Sequence, residues 1–312
     1  MTTFHHALRR HFVFRSLAAW LAAGSMATAA VPAAMAQDGS AAASRTPTGK
    51  VPAAVSVLSI VEHPSLDALR DGLHDELKDA GYQDGKSLHW AYQSAQGNQG
   101  TAVQIARKFV GDRPDVIVPI ATPAAQAVVS ATHQIPVVYN AITDPIAAQI
   151  VKSMAPSGTN VTGVSDKLVA DRQVAFIKRV VPDVKRVGII YSPAEANSVS
   201  ATREMKAALE KQGISLVEVA APRSIDVGQA AQRLVGKVDV IYTSNDNNVI
   251  SAYESVIKVA NAAKIPLICA DRSSVQRGAT GAMAIDYYRM GRQTGRMVLL
   301  TQIGRASCRE RV

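Results

Sequence analysis

Cysteine is nearly absent from this chain: only Cys269 and Cys308 occur in 312 residues. That excludes a disulfide framework, so any fold must be held by its apolar core, which a chain of this length can build. Cys269 sits in an apolar strand pattern and reads as a buried thiol rather than a nucleophile. The sequence also lacks GxGxxG, P-loop, GxSxG and HExxH motifs and any His/Cys set with metal-ligand spacing. No cofactor, no metal and no enzymatic activity are therefore expected. Acids such as Asp144 and Asp286 would form a pair only if the fold brought them together. No dense basic stripe with interleaved aromatics is present, which argues against nucleic acid as a partner. The net charge of +9 does not change this. Arg9, Arg10 and Arg15 put +3 in residues 1–36, and the last ten residues carry +2, leaving a mild 9 − 3 − 2 = +4 between them.

A long apolar run is missing as well. Leu17 to Val31 is alanine-rich and shorter than the roughly 20 residues that span a bilayer. Preceded by three arginines and followed by Ala34-Met35-Ala36, it reads as a signal peptide over residues 1–36, cleaved before Gln37, which predicts a periplasmic location. No cysteine lies near that site, so a lipid anchor is not expected. Residues 37–50, rich in Ala, Ser, Gly, Thr and Pro, read as a flexible leader.

What is present is a regular alternation of strands and helices. Hydrophobic residues make up 47% and charged residues 19%, a composition that excludes disorder. Apolar runs at 54–60, 87–93, 115–120, 136–141 and 159–165 read as strands, with helical spacing between them and a short helix expected over 144–153. The cycle then repeats, with strands at 186–191, 214–220, 238–243, 266–270 and 279–285 and a long helix expected over 246–263. Strands apolar on both faces between helices mark parallel sheets covered on both sides. Two blocks nearly coincide. Asp115-Val116-Ile117-Val118 leads through a helix to Ile135-Pro136-Val137-Val138. Asp239-Val240-Ile241-Tyr242 leads through a helix to Ile265-Pro266-Leu267-Ile268. Gly81 and Gly213 end corresponding helices, and Val110-Gly111 and Val235-Gly236 precede corresponding strands. The expected architecture is α/β, two doubly wound parallel-sheet lobes joined by a hinge. Lobe 1 would span 51–164 and lobe 2 165–284, with a helix over 285–302 returning to lobe 1. One large doubly wound sheet is the competing arrangement.

In open parallel sheets, ligands bind beyond the carboxyl ends of the strands. Those ends carry Glu62-His63-Pro64, Ala121-Thr122-Pro123, Asn140 to Pro145, Ser192 to Ser198, Thr243 to Asn247, Asp271-Arg272-Ser273 and Asp286-Tyr287. Most are short polar segments that open helices, and a helix start presents free N–H groups and partial positive charge to a carboxylate. Thr122 and Ser198 suit that role. Glu62, Asp246 and Asp271 suit an ammonium group. The mixture matches a zwitterion such as an amino acid better than a phosphate or a neutral sugar. The same residue types are also ordinary helix caps, and Glu62 and Asp271 read equally as surface acids. His63 reads as a loop residue, and Tyr287 and Tyr288 as ring stackers or core.

Val61 to Asp67, Ile120 to Ala127, Asn160 to Asp166, Glu195 to Ser198, Asp246-Asn247, Ser274 to Ala279 and Asp286 to Tyr288 occur in order. Together they resemble the tryptophan/tyrosine-type branch of the ABC-transporter substrate-binding proteins, with the type I periplasmic-binding-protein fold, over about residues 51–302. The resemblance implies a monomeric receptor that closes on a small solute and delivers it to an ABC permease driven by an ATPase. It implies Thr122, Asn197, Ser198 and Asp246 as ligand contacts, and lobe crossings near 160–166 and 284–286. The chain departs from the family pattern at Ser244-Asn245 and Arg272-Ser273, beside the cleft, so the solute is expected only as an amino acid or related zwitterion, possible aromatic character included. Residues 303–312 lack apolar periodicity and read as a non-native tail. A sensing module for a membrane signalling partner would share this fold. An exported hydrolase would need a nucleophile or acid–base pair that the motifs do not supply.

Overall fold

The computed structural model describes residues 53–155 and 158–302. The expected signal peptide, leader and tail lie outside the described residues.

Among the described residues, ten strands form two parallel sheets flanked by ten α-helices. The first contains β1 (Ala53–Ser59), β2 (Leu88–Ser94), β3 (Val116–Ile120), β4 (Val137–Asn140) and β5 (Val161–Val164), in the order β2-β1-β3-β4-β5. The second contains β6 (Arg186–Tyr191), β7 (Ser215–Ala220), β8 (Val240–Thr243), β9 (Leu267–Asp271) and β10 (Gly281–Ile285), in the order β7-β6-β8-β9-β10. Counted within each sheet, both orders are 2-1-3-4-5, and every pairing is parallel. The repeat seen in the sequence is thus β3–β4 against β8–β9. Its two aspartates do the same work. Asp115 Oδ2 accepts the Ala54 N–H at 2.7 Å, and Asp239 Oδ2 accepts the Arg186 N–H at 2.8 Å. Each pins the start of the third strand of its sheet to the first.

Helices cover both faces of each sheet. In lobe 1, α1 (Pro64–Asp79) packs with α10 (Tyr287–Gln302), and α2 (Gln99–Asp112) packs with α3 (Thr122–Ala131). In lobe 2, α4 (Ala170–Val180) lies beside α5 (Ala196–Glu210), and α6 (Val227–Leu234) beside α8 (Tyr253–Ala263). Alternation along single strands divides the lobe 2 core: Val187, Ile189, Val240 and Tyr242 join one apolar cluster, Ile190 and Ile241 the other. The α1–α10 contact is close because glycine faces backbone. A Cβ on Gly291 would lie 2.0 Å from the Leu69 carbonyl oxygen, and one on Gly72 would lie 2.2 Å from that of Tyr288. Among the described residues the chain passes between the lobes twice, after β5 and after β10.

Two expected helices need correction. Residues 144–153 form turns, not a helix: the Asp144 carboxylate accepts the Ala147 N–H at 2.9 Å, and the Pro145 carbonyl accepts those of Ile150 and Val151. The expected helix over 246–263 breaks at Ala252 into α7 (Asn247–Ser251) and α8, where Ser251 Oγ turns back onto the Asn247 carbonyl at 2.6 Å. A further helix, α9 (Arg272–Arg277), is too short to show a period, and its one signal is the cap by Asp271. The paired glycines also differ. Gly81, Gly213 and Gly236 take positive φ, whereas Gly111 lies inside α2 and Arg113 makes the left-handed turn, at φ 51°.

Candidate functional site

The carboxyl ends of the two sheets face each other across a small, nearly filled pocket. Lobe 1 contributes His63 and Leu66 from the start of α1, Ala121 and Thr122 from the start of α3, and Ala141 and Thr143 after β4. Lobe 2 contributes Asn197 from α5 and Asn245, Asn247 and Ile250 after β8. Asp166 and Tyr287 come from the two crossings.

Three of these side chains hold a buried atom without a protein partner: Thr122 Oγ1, Asn197 Oδ1 and Asn245 Oδ1. The arrangement behind the asparagines explains it. Asn197 donates its Nδ2 to Glu195 Oε2 at 3.2 Å and to the Asn245 carbonyl at 2.8 Å. Asn245 donates its Nδ2 to Asp166 Oδ2 at 2.9 Å. Each amide spends an N–H on a carboxylate, Asn197 on Glu195 behind the wall and Asn245 on Asp166 within it, and both amide oxygens are left without a protein partner.

On the opposite wall, α3 begins at Thr122-Pro123 with no side-chain cap. Ala121 holds φ 72° and ψ 157°, a region that side chains avoid at a cost of about 1–3 kcal/mol. Ala141, also lining the pocket, holds φ 56°. Such a start leaves first-turn N–H groups and the helix dipole facing the cavity.

The wall contains no lysine or arginine. Asp166, fully buried, accepts from Thr143 Oγ1 at 2.8 Å and from Tyr287 Oη at 2.9 Å, and burial raises its pKa above the ordinary range. Glu195 accepts from Asn247 Nδ2 at 2.6 Å; burial, then the neighbouring Asp246 charge, raises it to about 7. His63, buried at the start of α1, is lowered to about 4, chiefly by burial, and is neutral at pH 7. Among the described residues no group of three or more His, Cys, Asp or Glu could hold a metal.

The sequence-derived candidates separate here. Thr122 and Asn197 line the pocket. Four do not. Asp246 is buried behind the wall, where it caps α7 through the Val249 N–H at 2.9 Å and accepts from the Ser192 N–H at 2.6 Å. Ser198 is spent on the same group, donating to Asp246 Oδ2 at 2.5 Å. Asp271 caps α9 and accepts from Ser65, Ser273 and Ser274. Glu62 bonds Tyr92 and Gln96 at an exposed edge. In this structure Asp246, Ser198 and Asp271 are thus bonded to protein partners. The residues that strand-end reasoning passed over, Thr143, Asn245 and Asn247, stood in the same segments; Asp166 stood in the extended motif of the first crossing.

Residues 54–306 match the family described as ABC transporter substrate binding protein. A tyrosine-binding protein of Clostridioides difficile is 39% identical over 245 residues, 78% of this chain and 71% of that one. The structure of an ABC domain from Streptococcus pneumonia in complex with L-Trp is 35% identical, covers 84% of this chain and 88% of its own, and overlays with a TM-score of 0.81. The ligand-free, open structure of a substrate-binding protein from Clostridium difficile is 36% identical, covers 83% and 88%, and overlays at only 0.63. At matched identity the tryptophan-bound structure overlays better, in keeping with the hydrogen bonds that span the cleft here.

Proposed function

The chain belongs to the ABC transporter substrate-binding proteins, and from that premise we propose that it is an exported receptor that closes on an amino acid. The solute is aromatic in this reading, and a membrane permease with its ATPase receives it. The observation that carries the reading is the convergence of Thr122 Oγ1, Asn197 Oδ1 and Asn245 Oδ1, from opposing lobes, on one pocket without protein partners.

A buried polar atom left unpaired costs about 1–3 kcal/mol. Closing the cleft strands these atoms unless a solute supplies their partners, so a solute shifts the protein toward the closed state. An ammonium group fits the two asparagine oxygens with Asp166 beside them. A carboxylate fits the Thr122 hydroxyl and the uncapped start of α3. Leu66, Ile250, His63 and Tyr287 provide the less polar surface for a side chain. The tyrosine-binding relative and the tryptophan-bound structure support this class. The closed shape is what the permease would read, and a monomer suffices for it.

Export follows from the signal peptide, with residues 1–36 removed before Gln37; among the described residues no helix is long and apolar enough to cross a membrane. N-terminal sequencing of exported protein tests the cleavage. Calorimetry and small-angle scattering with a panel of L-amino acids test the receptor. Heat and compaction with L-tryptophan or L-tyrosine are expected; neither signal with any solute would overturn the reading.

A further inference from the structure

Four residues that line no part of the pocket join the lobes beside it. Ser65, in the first turn of α1, donates its hydroxyl to Asp271 at the end of β9 and lies 3.1 Å from Ser273 Oγ. Ser200, in α5, donates to Asp144 Oδ2 at 2.8 Å, in the turns after β4. The two pairs run in opposite directions: lobe 1 gives the donor in the first and the acceptor in the second. Each acceptor is held by its own lobe. Asp271 takes the Ser274 N–H at 3.0 Å and its hydroxyl at 2.7 Å, and Asp144 takes the Ala147 N–H. The serines reach these carboxylates only when the lobes are together. Ser65 and Asp271 are 5% and 1% exposed, so water does not compete for that bond in the closed state.

We infer that the Ser65–Asp271 and Ser200–Asp144 pairs form a two-point latch that sets solute affinity by stabilising the closed cleft, without touching the solute. The inference rests on the proposed closure of the cleft on an amino acid. A solute that binds across both lobes has an apparent affinity reduced by the fraction of protein that is closed. Lost latch bonds lower that fraction while leaving every solute contact in place. The effect falls on release, because the latch forms after the solute has entered. These are positioning residues, and the serines are the informative sites. Asp271 also caps α9, so its removal would disturb lobe 2, whereas Ser65→Ala removes only bonds that cross the cleft.

The full chain is compared as wild type, Ser65→Ala, Ser200→Ala, the double variant and Ser65→Thr. L-tryptophan and L-tyrosine binding is followed by calorimetry and stopped-flow, and the interlobe distance by paired spin labels. Each alanine is expected to weaken binding about tenfold, the worth of one hydrogen bond to a charged group, and the double variant about a hundredfold. The loss should appear in faster release with unchanged association. Ser65→Thr should restore wild-type release, and solute-free melting temperatures should stay level. Affinity and release within twofold of wild type in both alanine variants would overturn the latch. If wild type binds neither amino acid, the amino-acid reading of the pocket fails instead, and the latch is decided by the spin labels in solute-free protein. A closed population that shrinks in the alanine variants supports it; no closed population, or one the variants leave unchanged, overturns it.

Discussion

Tyr287 donates its hydroxyl to Asp166 Oδ2 at 2.9 Å, tying together the two segments that cross between the lobes. Asp166 follows β5, and Tyr287 opens α10 after β10. The same carboxylate takes Thr143 from lobe 1 and Asn245 from lobe 2. One buried group therefore gathers both crossings and both lobes at the wall of the pocket. Tyr287→Phe keeps the ring and removes one donor from that group. It is expected to cost about 1–2 kcal/mol and to lower the melting temperature by about 2–8 °C. Thermal unfolding without solute checks it; an unchanged midpoint would remove this bond from the hinge.

Thr122 should behave differently, because its buried hydroxyl has no protein partner. Thr122→Val replaces that hydroxyl with a methyl of similar size. Solute-free stability is expected to hold or rise by up to about 1 kcal/mol, while amino-acid affinity falls about tenfold. Melting curves and calorimetry on one preparation read both effects. A loss of stability with unchanged affinity would return Thr122 to a purely structural role.

Ala121 carries backbone strain beside it. Glycine adopts φ 72° and ψ 157° without a Cβ penalty, so Ala121→Gly is expected to stabilise the fold by about 1 kcal/mol in chemical denaturation. Destabilisation would mean that the alanine methyl contributes more through packing than the strained backbone costs.

At Gly291 the obstacle is backbone rather than a flexible side chain. Gly291→Ala puts a methyl against the Leu69 carbonyl and should push α10 from α1, at a cost of about 1–3 kcal/mol by urea unfolding. Gly111→Ala, where nothing lies within 4 Å, should match or slightly exceed wild type and serves as control.

Glu195 gives the stability a pH slope. Its folded pKa of about 7 lies above the unfolded value near 4.5, so the folded state holds the extra proton between them. The stabilisation is full below about pH 4.5 and is lost as pH rises through 7, by up to about 3 kcal/mol. His63, lowered to about 4 from 6.5, acts oppositely: its contribution is present above pH 6.5 and is lost as pH falls through 4. Subtracting the pH profile of Glu195→Gln from that of wild type isolates the first effect. A difference that is flat from pH 5 to 8 would show that Glu195 titrates normally.

Much of the architecture was legible in one dimension because its causes are local. Apolar runs at 115–120 and 238–243 are buried on both faces, so they appear as unbroken hydrophobic stretches between helical periods. The repeat of Asp115 and Asp239 was visible as letters, although their shared work at strand starts was not. The expected helix over 144–153 failed because a few apolar residues at helical spacing cannot be told from turns that bury the same residues. At the site, the strand-end rule pointed to Thr122 and to the segment that holds Asn197, since it depends only on where a strand stops, and Asn197 itself was named by the family resemblance.

The sequence alone determined that two parallel sheets with polar tips would form, since strand period, helix period and turn residues are set by near neighbours. Only the tertiary structure decided which polar tips remain free. Ser198 and Asp246 are 48 residues apart and satisfy each other, whereas Asn197 and Asn245 each spend an N–H on a carboxylate and keep an oxygen without a protein partner. Whether a buried donor or acceptor has a partner depends on sheet neighbours remote in the chain, and no local pattern carries that information.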